Sequence, residues 1–174
     1  MRLAIPVFVL TVLLSTAAAA EDVWTKFKSE ADGFSIEFPY TPAAQEALPL
    51  VVGDVTVATR GYGLEMDNDS YLVSVSEYSN KLFISNPQMF LDSLIRKQSQ
   101  GAMVSFNSPI EVGGNPGREV VFTAADDEWV HAREIYASGK LYQIVFREKG
   151  ETHGESREAA ARFVKSFRFI GGGQ

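Results

Sequence analysis

Short segments in which apolar and polar residues alternate recur along most of the chain. Residues 34–38, in the segment GFSIEFPYTP, read Phe, Ser, Ile, Glu and Phe, so one side of the segment is apolar and the other polar. That alternation predicts a β-strand with one buried face, and the pair Asp32-Gly33 before it predicts a hairpin turn. Further strands are predicted at residues 23–30, 54–65, 70–78, 118–124, 129–137 and 141–148, with two shorter ones in MVSFN and PIEV.

Proline and glycine mark the breaks between these strands. Pro39 and Pro42 end the strand of GFSIEFPYTP, because proline removes a backbone donor, and YTPAAQEALPL is predicted to be an exit loop. In GGNPG, residues 115–117 match a tight turn in which proline fixes φ and glycine accepts a positive φ. Residues 138–140 are predicted to close a hairpin.

Two segments repeat apolar residues at helical spacing. The first begins at Pro87, which suits the first turn of a helix, with Asn86 or the serine before it as the cap, and it ends at Gly101. The second follows Thr152 and Glu155, which have capping-box spacing. The two apolar stripes consist of Phe90, Leu91, Leu94 and Ile95 in the first segment and Ala159, Ala160, Phe163 and Val164 in the second.

The predicted elements follow the order strands, helix, strands, helix, and most connections are of hairpin length. Short connections join antiparallel neighbours, so we expect an α+β fold with a single, mostly antiparallel sheet flanked by two main helices. The strand at 70–78 alternates less cleanly than the others, which predicts burial on both faces in the middle of the sheet. No low-complexity linker divides residues 21–170, so we expect them to form one domain.

The first twenty residues form a separate unit, residues 1–20. Arg2 precedes the apolar run Leu3–Leu14, and AAAA before Glu21 supplies the small residues that signal peptidase requires. The run is too short for a spanning helix of ~20 residues, so it predicts a secretory signal peptide, with an uncleaved anchor as the alternative. We expect a periplasmic or secreted protein without stable membrane insertion after cleavage, and a disordered tail at residues 171–174.

Composition removes several classes of function. The chain of 174 residues has no cysteine, which excludes disulfides, thiol catalysis, thiolate metal sites and iron–sulfur clusters. The formal net charge is −6, and an acidic chain without a basic stripe is a poor candidate for binding nucleic acid. The sequence contains no G-x-S-x-G motif and no phosphate-binding loop. We therefore predict no cofactor and no enzyme, with a hydrolase of unrecognised type as the least favoured function.

The succession of segments resembles the PsbP-like and DcrB-like exported proteins. An early tryptophan is followed by GFSIEFPYTP, then by IEVGGNPGREVVF, and finally by REIYASGKLYQIVF, a helix and FVKSFRF. The resemblance covers nearly the whole chain after the signal segment. It implies an α/β/α sandwich and an accessory role in which the protein binds or assists a larger assembly, and it implies no catalytic residue.

Two turns are rich in acidic residues. EMDNDSY brings Glu65, Asp67 and Asp69 together, and their oxygen atoms suit Ca²⁺. An EF-hand needs glycine at its sixth position and glutamate at its twelfth, but Leu72 and Tyr78 occupy those positions when Asp67 is the first. A solvated hairpin is the simpler interpretation of this turn, and the same holds for ADDE. The alternative function is a small-ligand or divalent-metal-binding protein that uses EMDNDS or ADDEWVH.

Histidine and aromatic residues supply the remaining candidates. His131 and His153 lie on a predicted strand and in a predicted loop, where a structural histidine and a solvated one are the simpler interpretation than a metal site. Tyrosine and tryptophan are enriched at binding hot spots, so Tyr62, Trp129 and Tyr136 are candidate partner-binding residues, with core packing as the alternative. The sequence as a whole predicts an exported, non-catalytic accessory or protein-binding module whose partner is an envelope protein or assembly.

Overall fold

A computed structural model describes residues 24–45, 50–52, 55–78, 84–124, 127–150 and 156–171. The strands are β1 (Thr25–Ser29), β2 (Phe34–Phe38), β3 (Ala43–Gln45), β4 (Leu50–Val52), β5 (Val55–Val57), β6 (Thr59–Glu65), β7 (Asp69–Glu77), β8 (Met103–Val112), β9 (Asn115–Thr123), β10 (Trp129–Ala137), β11 (Lys140–Glu148) and β12 (Arg168–Phe169). The helices are α1 (Pro87–Gln98) and α2 (Arg157–Ser166). The predicted signal segment 1–20, residues 172–174 of the predicted tail, and the predicted capping pair Thr152 and Glu155 lie outside the described residues.

A seven-stranded antiparallel sheet forms the centre of the fold. Its strand order is β3-β6-β7-β11-β10-β9-β8, and its strands are joined mostly by hairpins, which confirms the predicted α+β class with a mostly antiparallel sheet and two helices. Strand β7 lies near the middle, and its residues 73–76 are buried on both faces, as its irregular alternation predicted. We call the face that carries Tyr71, Val73 and Val75 face A, and the face that carries Leu72, Ser74 and Ser76 face B.

Face A is covered by α2 and by a second, three-stranded sheet with the order β1-β2-β12. The alternation in residues 34–38 explains this cover, because the phenylalanine and isoleucine side chains of β2 all enter the core between the two sheets. Phe163 of α2 packs against Phe38, and Phe34 stacks on Phe167 with 5.5 Å between ring centroids. The sequence predicted a single sheet. The three-stranded sheet, and a two-stranded sheet formed by β4 and β5, are corrections to that prediction.

Face B is covered in part by α1. The helix begins as predicted, with Pro87 in its first turn and the Asn86 side chain accepting a hydrogen bond from the backbone N–H of Met89 at 3.0 Å. Leu91 and Ile95 point into the protein, and the helix packs mainly on β9 and β10. The part of face B formed by β6, β7 and β11 lies beside the helix. No helix in the described ranges is long and apolar enough to cross a bilayer.

The tight turn predicted at residues 115–117 is wrong. The chain turns at Gly113-Gly114, whose φ angles are +56° and +78°, and two consecutive positive φ values are what a two-residue hairpin of type I′ requires. Residues 115–117 instead begin β9, where Gly117 pairs with Ile135. A Cβ on Gly117 would lie 2.9 Å from the carbonyl oxygen of Glu134, so a glycine at this position allows β9 to lie close to β10.

Three other predicted boundaries also differ. YTPAAQEALPL is not wholly a loop, because it contains β3, which pairs with β6, and its last residue, Leu50, begins β4. The strand predicted at 54–65 is divided into β5 and β6. MVSFN and PIEV form one strand, β8, with a register shift between Val104 and Phe106. In the first and third cases, pairing with a neighbouring strand overrode the local break signals. In the second, β5 pairs with β4 and β6 pairs with β7, which divides the predicted strand.

Candidate functional site

A groove lies on face B beside α1, above β6, β7 and β11. Its floor includes Ser74 and Ser76 of β7, with Gly63 of β6 directly opposite Leu72. Serine and glycine rise little above a sheet, whereas α1 rests on larger apolar residues of β9 and β10. The low side chains therefore leave a cavity of about 640 Å³.

A second cavity, of about 300 Å³, continues this groove toward α1. The two cavities share lining residues from β7 and β11, among them Leu72, Ser74 and Gln143. The α1 end is largely apolar and is lined by Phe122, Val130, Ala132 and Val145. We refer to the two cavities together as the face B groove.

The open end of the groove carries the acidic residues that the sequence analysis singled out. Glu65, Asp67 and Asp69 line it, and so does Glu128 from ADDE. The two segments meet because Asp69 pairs with Glu148 in β11, and Glu148 pairs in turn with Trp129, the residue after Glu128. The fold thus joins two acidic segments that are distant in sequence.

The carboxylates at this end differ in how they are bonded. Glu128 forms an ion pair with Arg147 at 3.3 Å, and Asp69 accepts a hydrogen bond from Ser156 at 2.9 Å. Glu65 and Asp67 are exposed, and their side chains make no hydrogen bond or ion pair within the described part of the chain. Among the described residues no three histidine or acidic side chains are grouped closely enough to hold a metal ion. The metal role of Glu65, Asp67 and Asp69 therefore stays a prediction.

A fully buried carboxyl group, Glu134, lies beneath the α1 end of the groove. Its Oε1 accepts hydrogen bonds from Gln98 of α1 at 2.9 Å and from Gln143 of β11 at 3.1 Å. Its Oε2 has no hydrogen-bond partner among the described residues. Burial raises the pKa of Glu134 to about 7, although the two amide donors oppose the shift. Glu134 was not among the site residues predicted from the sequence. Its signal was an acidic residue on the same strand face as Val130 and Ala132.

A second buried carboxyl group, Asp32, joins the β1–β2 hairpin to the main sheet. Its side chain is 0% exposed and accepts hydrogen bonds from Nε of Arg60 at 2.8 Å and from the Tyr62 hydroxyl at 2.7 Å. Burial opposes ionisation, but the bonds from Arg60 and Tyr62 lower the pKa of Asp32. Ser29 also donates to Asp32, and Tyr142 donates to its backbone carbonyl. These hydrogen bonds hold the three-stranded sheet against the seven-stranded sheet.

The predicted candidate His131 belongs to a third polar cluster, on face A. Its Nε2 lies 2.8 Å from Glu119, which also accepts hydrogen bonds from Arg133. The hydrogen bond from His131, aided by Arg133 and opposed by burial, lowers the pKa of Glu119 to about 2. His153, the other candidate, lies outside the described residues. Both oxygen atoms of Glu119 are bonded to basic side chains, and such charge-assisted hydrogen bonds stabilise the fold and leave neither oxygen free to react with a substrate.

The three aromatic candidates for partner binding are at least partly buried. Tyr62 donates to Asp32, Trp129 is 7% exposed, and Tyr136 is half-buried with its ring 5.7 Å from that of Phe90. Their role in binding a partner stays a prediction. More apolar surface is exposed on β8, where Met103, Val104 and Phe106 are 72%, 44% and 47% exposed. We call these three residues the β8 patch.

Comparison with known proteins shows the fold. No family model matches the sequence, and no curated protein matches it. The chain is similar to the solution structure of cyanobacterial PsbP (CyanoP) from Synechocystis sp. PCC 6803, with a TM-score of 0.58 and 14% identity over 91% of this chain and 99% of that chain. A crystal structure of PA94, a protein of unknown function from Pseudomonas aeruginosa, gives a TM-score of 0.40 and 11% identity over 72% and 83% of the two chains. The first likeness confirms a PsbP-like fold.

Proposed function

We propose that this protein is an exported accessory module of the bacterial envelope that binds an extended segment of another protein at the edge of β8. The PsbP-like fold and the signal-peptide pattern of residues 1–20 support an exported accessory protein. The observation that carries the binding proposal is the β8 patch, three large apolar side chains exposed on one edge strand.

The position of the β8 patch suits strand addition. Strand β8 is ten residues long and lies at the end of the main sheet, where β9 is its one neighbour among the described strands. An edge strand offers backbone donors and acceptors to a further strand, and its side chains select the partner. The pairing of β8 with β9 sets Met103 and Phe106 on face A and Val104 on face B. A bound segment with apolar residues would cover side chains on both faces.

The same strand disfavours pairing with a second copy of itself. The register shift between Val104 and Phe106 interrupts the edge, and Pro109 lacks a backbone donor. If two β8 strands paired about a two-fold axis, the hydrogen-bond ladder between them would contain the register shift and Pro109 from each copy. A short segment of a different protein can pair on one side of the shift, so a heterologous partner fits the edge better.

Site-specific photo-crosslinking in intact producing cells tests this proposal. A photoreactive amino acid at position 106 is expected to capture one envelope protein, and Met103→Lys is expected to abolish the capture. The same photoreactive residue at Met89, which is 68% exposed on α1, is the matched control and should capture nothing specific. Capture of the protein's own second copy, or equal capture from both positions, would contradict the proposal.

Export has its own test, which does not depend on the partner. Cleavage after the AAAA segment predicts Glu21 as the first residue of the mature protein. N-terminal sequencing of protein from the periplasmic fraction or the medium should find it. Recovery of the intact N terminus from the cytoplasmic fraction would contradict export.

A second candidate function is small-ligand or divalent-metal binding in the face B groove. One observation favours it: the groove brings EMDNDS and Glu128 together. Thermal melts with Ca²⁺ and Zn²⁺ test the metal form of this hypothesis, since a ligand at ~100 times its dissociation constant adds roughly 2.7 kcal/mol to stability. Melting temperatures that do not change with either ion would contradict it.

A further inference from the structure

We propose that the face B groove binds an amphipathic organic cation, with an ammonium group at the acidic end and an aliphatic chain that extends over the floor to the apolar α1 end. This inference rests on the second candidate function, small-ligand binding, and is independent of the β8 patch. It assigns the chemical class of the ligand from the two ends of the groove.

The groove is large and continuous enough for a ligand with two different ends. Its two parts have volumes of about 640 and 300 Å³ and share Leu72, Ser74 and Gln143 on their floor. Small-molecule sites fall in the range of about 300–1,000 Å³. A ligand lying along the floor would therefore contact both the acidic end and the α1 end.

The α1 end is suited to an aliphatic chain. Val130, Val145 and Phe122 line it, and burying methylene groups against such apolar side chains is favourable. The polar atoms on the intervening floor are bonded to each other. Ser74 donates to Gln143 at 3.3 Å, and Gln143 donates to Glu134 at 3.1 Å. An apolar chain can cross these residues without separating them from their partners.

The charge at the open end favours a cation. Glu65, Asp67 and Glu128 place carboxylates at this end, and the basic residues that line it are Arg147 and Lys149. The side chain of Asp69 lies on face A, where it accepts a hydrogen bond from Ser156. Arg147 is paired with Glu128. An excess of negative charge remains, and Glu65 and Asp67 have no side-chain partner within the described ranges.

The spacing of these carboxylates suits an organic ammonium group better than a metal ion. A divalent cation needs several oxygen ligands at about 2.0–2.6 Å, and no three acidic or histidine side chains of the described residues are grouped for that. An ammonium group needs nearby negative charge and one or two acceptors, with no fixed coordination geometry. Exposed carboxylates at the mouth of a cavity meet that requirement.

Binding of hexylammonium to the full mature chain, residues 21–174, tests the proposal. Hexanoate tests the contribution of the charge, because it has a similar aliphatic chain with the opposite charge. Methylammonium tests the contribution of the chain, because it has the same ammonium group without the chain. By isothermal titration we expect a dissociation constant of roughly millimolar for hexylammonium, given its small size. We expect binding at least fivefold weaker for each control ligand, and amide NMR shifts confined to β7, β11 and the EMDNDS turn.

Two substitutions locate the contributions of the groove. Asp67→Asn is expected to weaken hexylammonium about two- to fivefold at low salt, because an exposed charge a few ångströms away contributes modestly. Glu111→Gln is the matched control, since Glu111 is also exposed but lies on β8, and it should change nothing. Leu72→Ala should weaken hexylammonium several-fold and leave methylammonium unchanged.

The outcomes separate the ligand class from the site. Shifts in the groove with hexanoate equal to or tighter than hexylammonium would overturn the cationic class while leaving the groove as a ligand site. Failure of all three probes to shift the groove residues would overturn both this inference and the small-ligand function. The crosslinking result at position 106 is unaffected by either outcome.

Discussion

Replacing Glu134 with glutamine is expected to make the protein more stable at alkaline pH. Glu134 is completely buried, and its Oε2 has no hydrogen-bond partner among the described residues. Glutamine has nearly the same shape and keeps an oxygen that can accept the hydrogen bonds from Gln98 and Gln143. It carries no charge at any pH, so the substitution isolates the cost of ionising a buried carboxyl group.

The sign and the size of the effect follow from the pKa. Burial raises the pKa of Glu134 from 4.5 to about 7, so between these values the folded protein keeps a proton that the unfolded chain releases. The stabilising contribution of the protonated group is intact below pH 4.5 and is lost as pH rises through 7. At ~1.36 kcal/mol per pKa unit, ionisation costs about 3 kcal/mol above that window.

Urea unfolding of Glu134→Gln and of the unsubstituted protein, at about pH 4.5 and about pH 8, measures this cost. We expect the two proteins to be nearly equally stable at the lower pH, and the variant to be more stable by up to about 3 kcal/mol at the higher pH. Glu111→Gln, an exposed position on β8, should have no effect at either pH. A variant that is less stable than the unsubstituted protein at pH 8 would refute the reasoning.

Three further predictions, which use four substitutions, test the polar clusters and the close strand contact. Glu119→Gln should show the opposite pH dependence, because a hydrogen bond from the neighbouring histidine lowers the Glu119 pKa to about 2. We expect the variant to lose about 3 kcal/mol of unfolding free energy at pH 7, and the loss should shrink as the pH of the measurement falls toward 2. Arg60→Ala should lower the free energy of unfolding by about 3–5 kcal/mol, because it leaves the Asp32 carboxylate charged and buried. Asp32→Ala should cost less, because the Arg60 side chain that it leaves unpaired is 42% exposed. Equal losses of stability in the two variants would contradict this. Gly117→Ala should cost about 1–3 kcal/mol, because its Cβ would meet the carbonyl oxygen of Glu134 at 2.9 Å, and an unchanged melting temperature would argue against the close contact.

Sequence patterns predicted correctly the elements that are set by residues close together in the sequence. The alternation of residues 34–38 corresponds to β2, and Asn86 and Pro87 mark the start of α1. The turn in GGNPG was misplaced because GG and NPG are both good turn signals. The pairing of Gly117 with Ile135 decides between them, and that contact with another hairpin is not visible in a five-residue window.

The candidate site could be predicted less well than the fold. The acidic segments were recognised, but their meeting in one groove depends on the register of β7, β11 and β10, which no single segment encodes. The depth of the groove depends on where α1 stops covering face B. Glu134 also had a local signal, since it is an acidic residue between apolar positions of one strand face, but a strand pattern alone does not show that α1 buries that face.

The three-stranded sheet constrains when this protein can finish folding. Strand β2 pairs with β12, so Phe34 and Phe169 are direct neighbours although most of the domain lies between them in sequence. Contacts over such long separations slow folding, and this one cannot form before the last strand is available. A chain that emerges with its N terminus first, from a ribosome or a translocation pore, must leave the core over face A incomplete until Phe167 and Phe169 have emerged. Premature termination before these residues would leave aromatic surface exposed, which favours aggregation or degradation of the fragment.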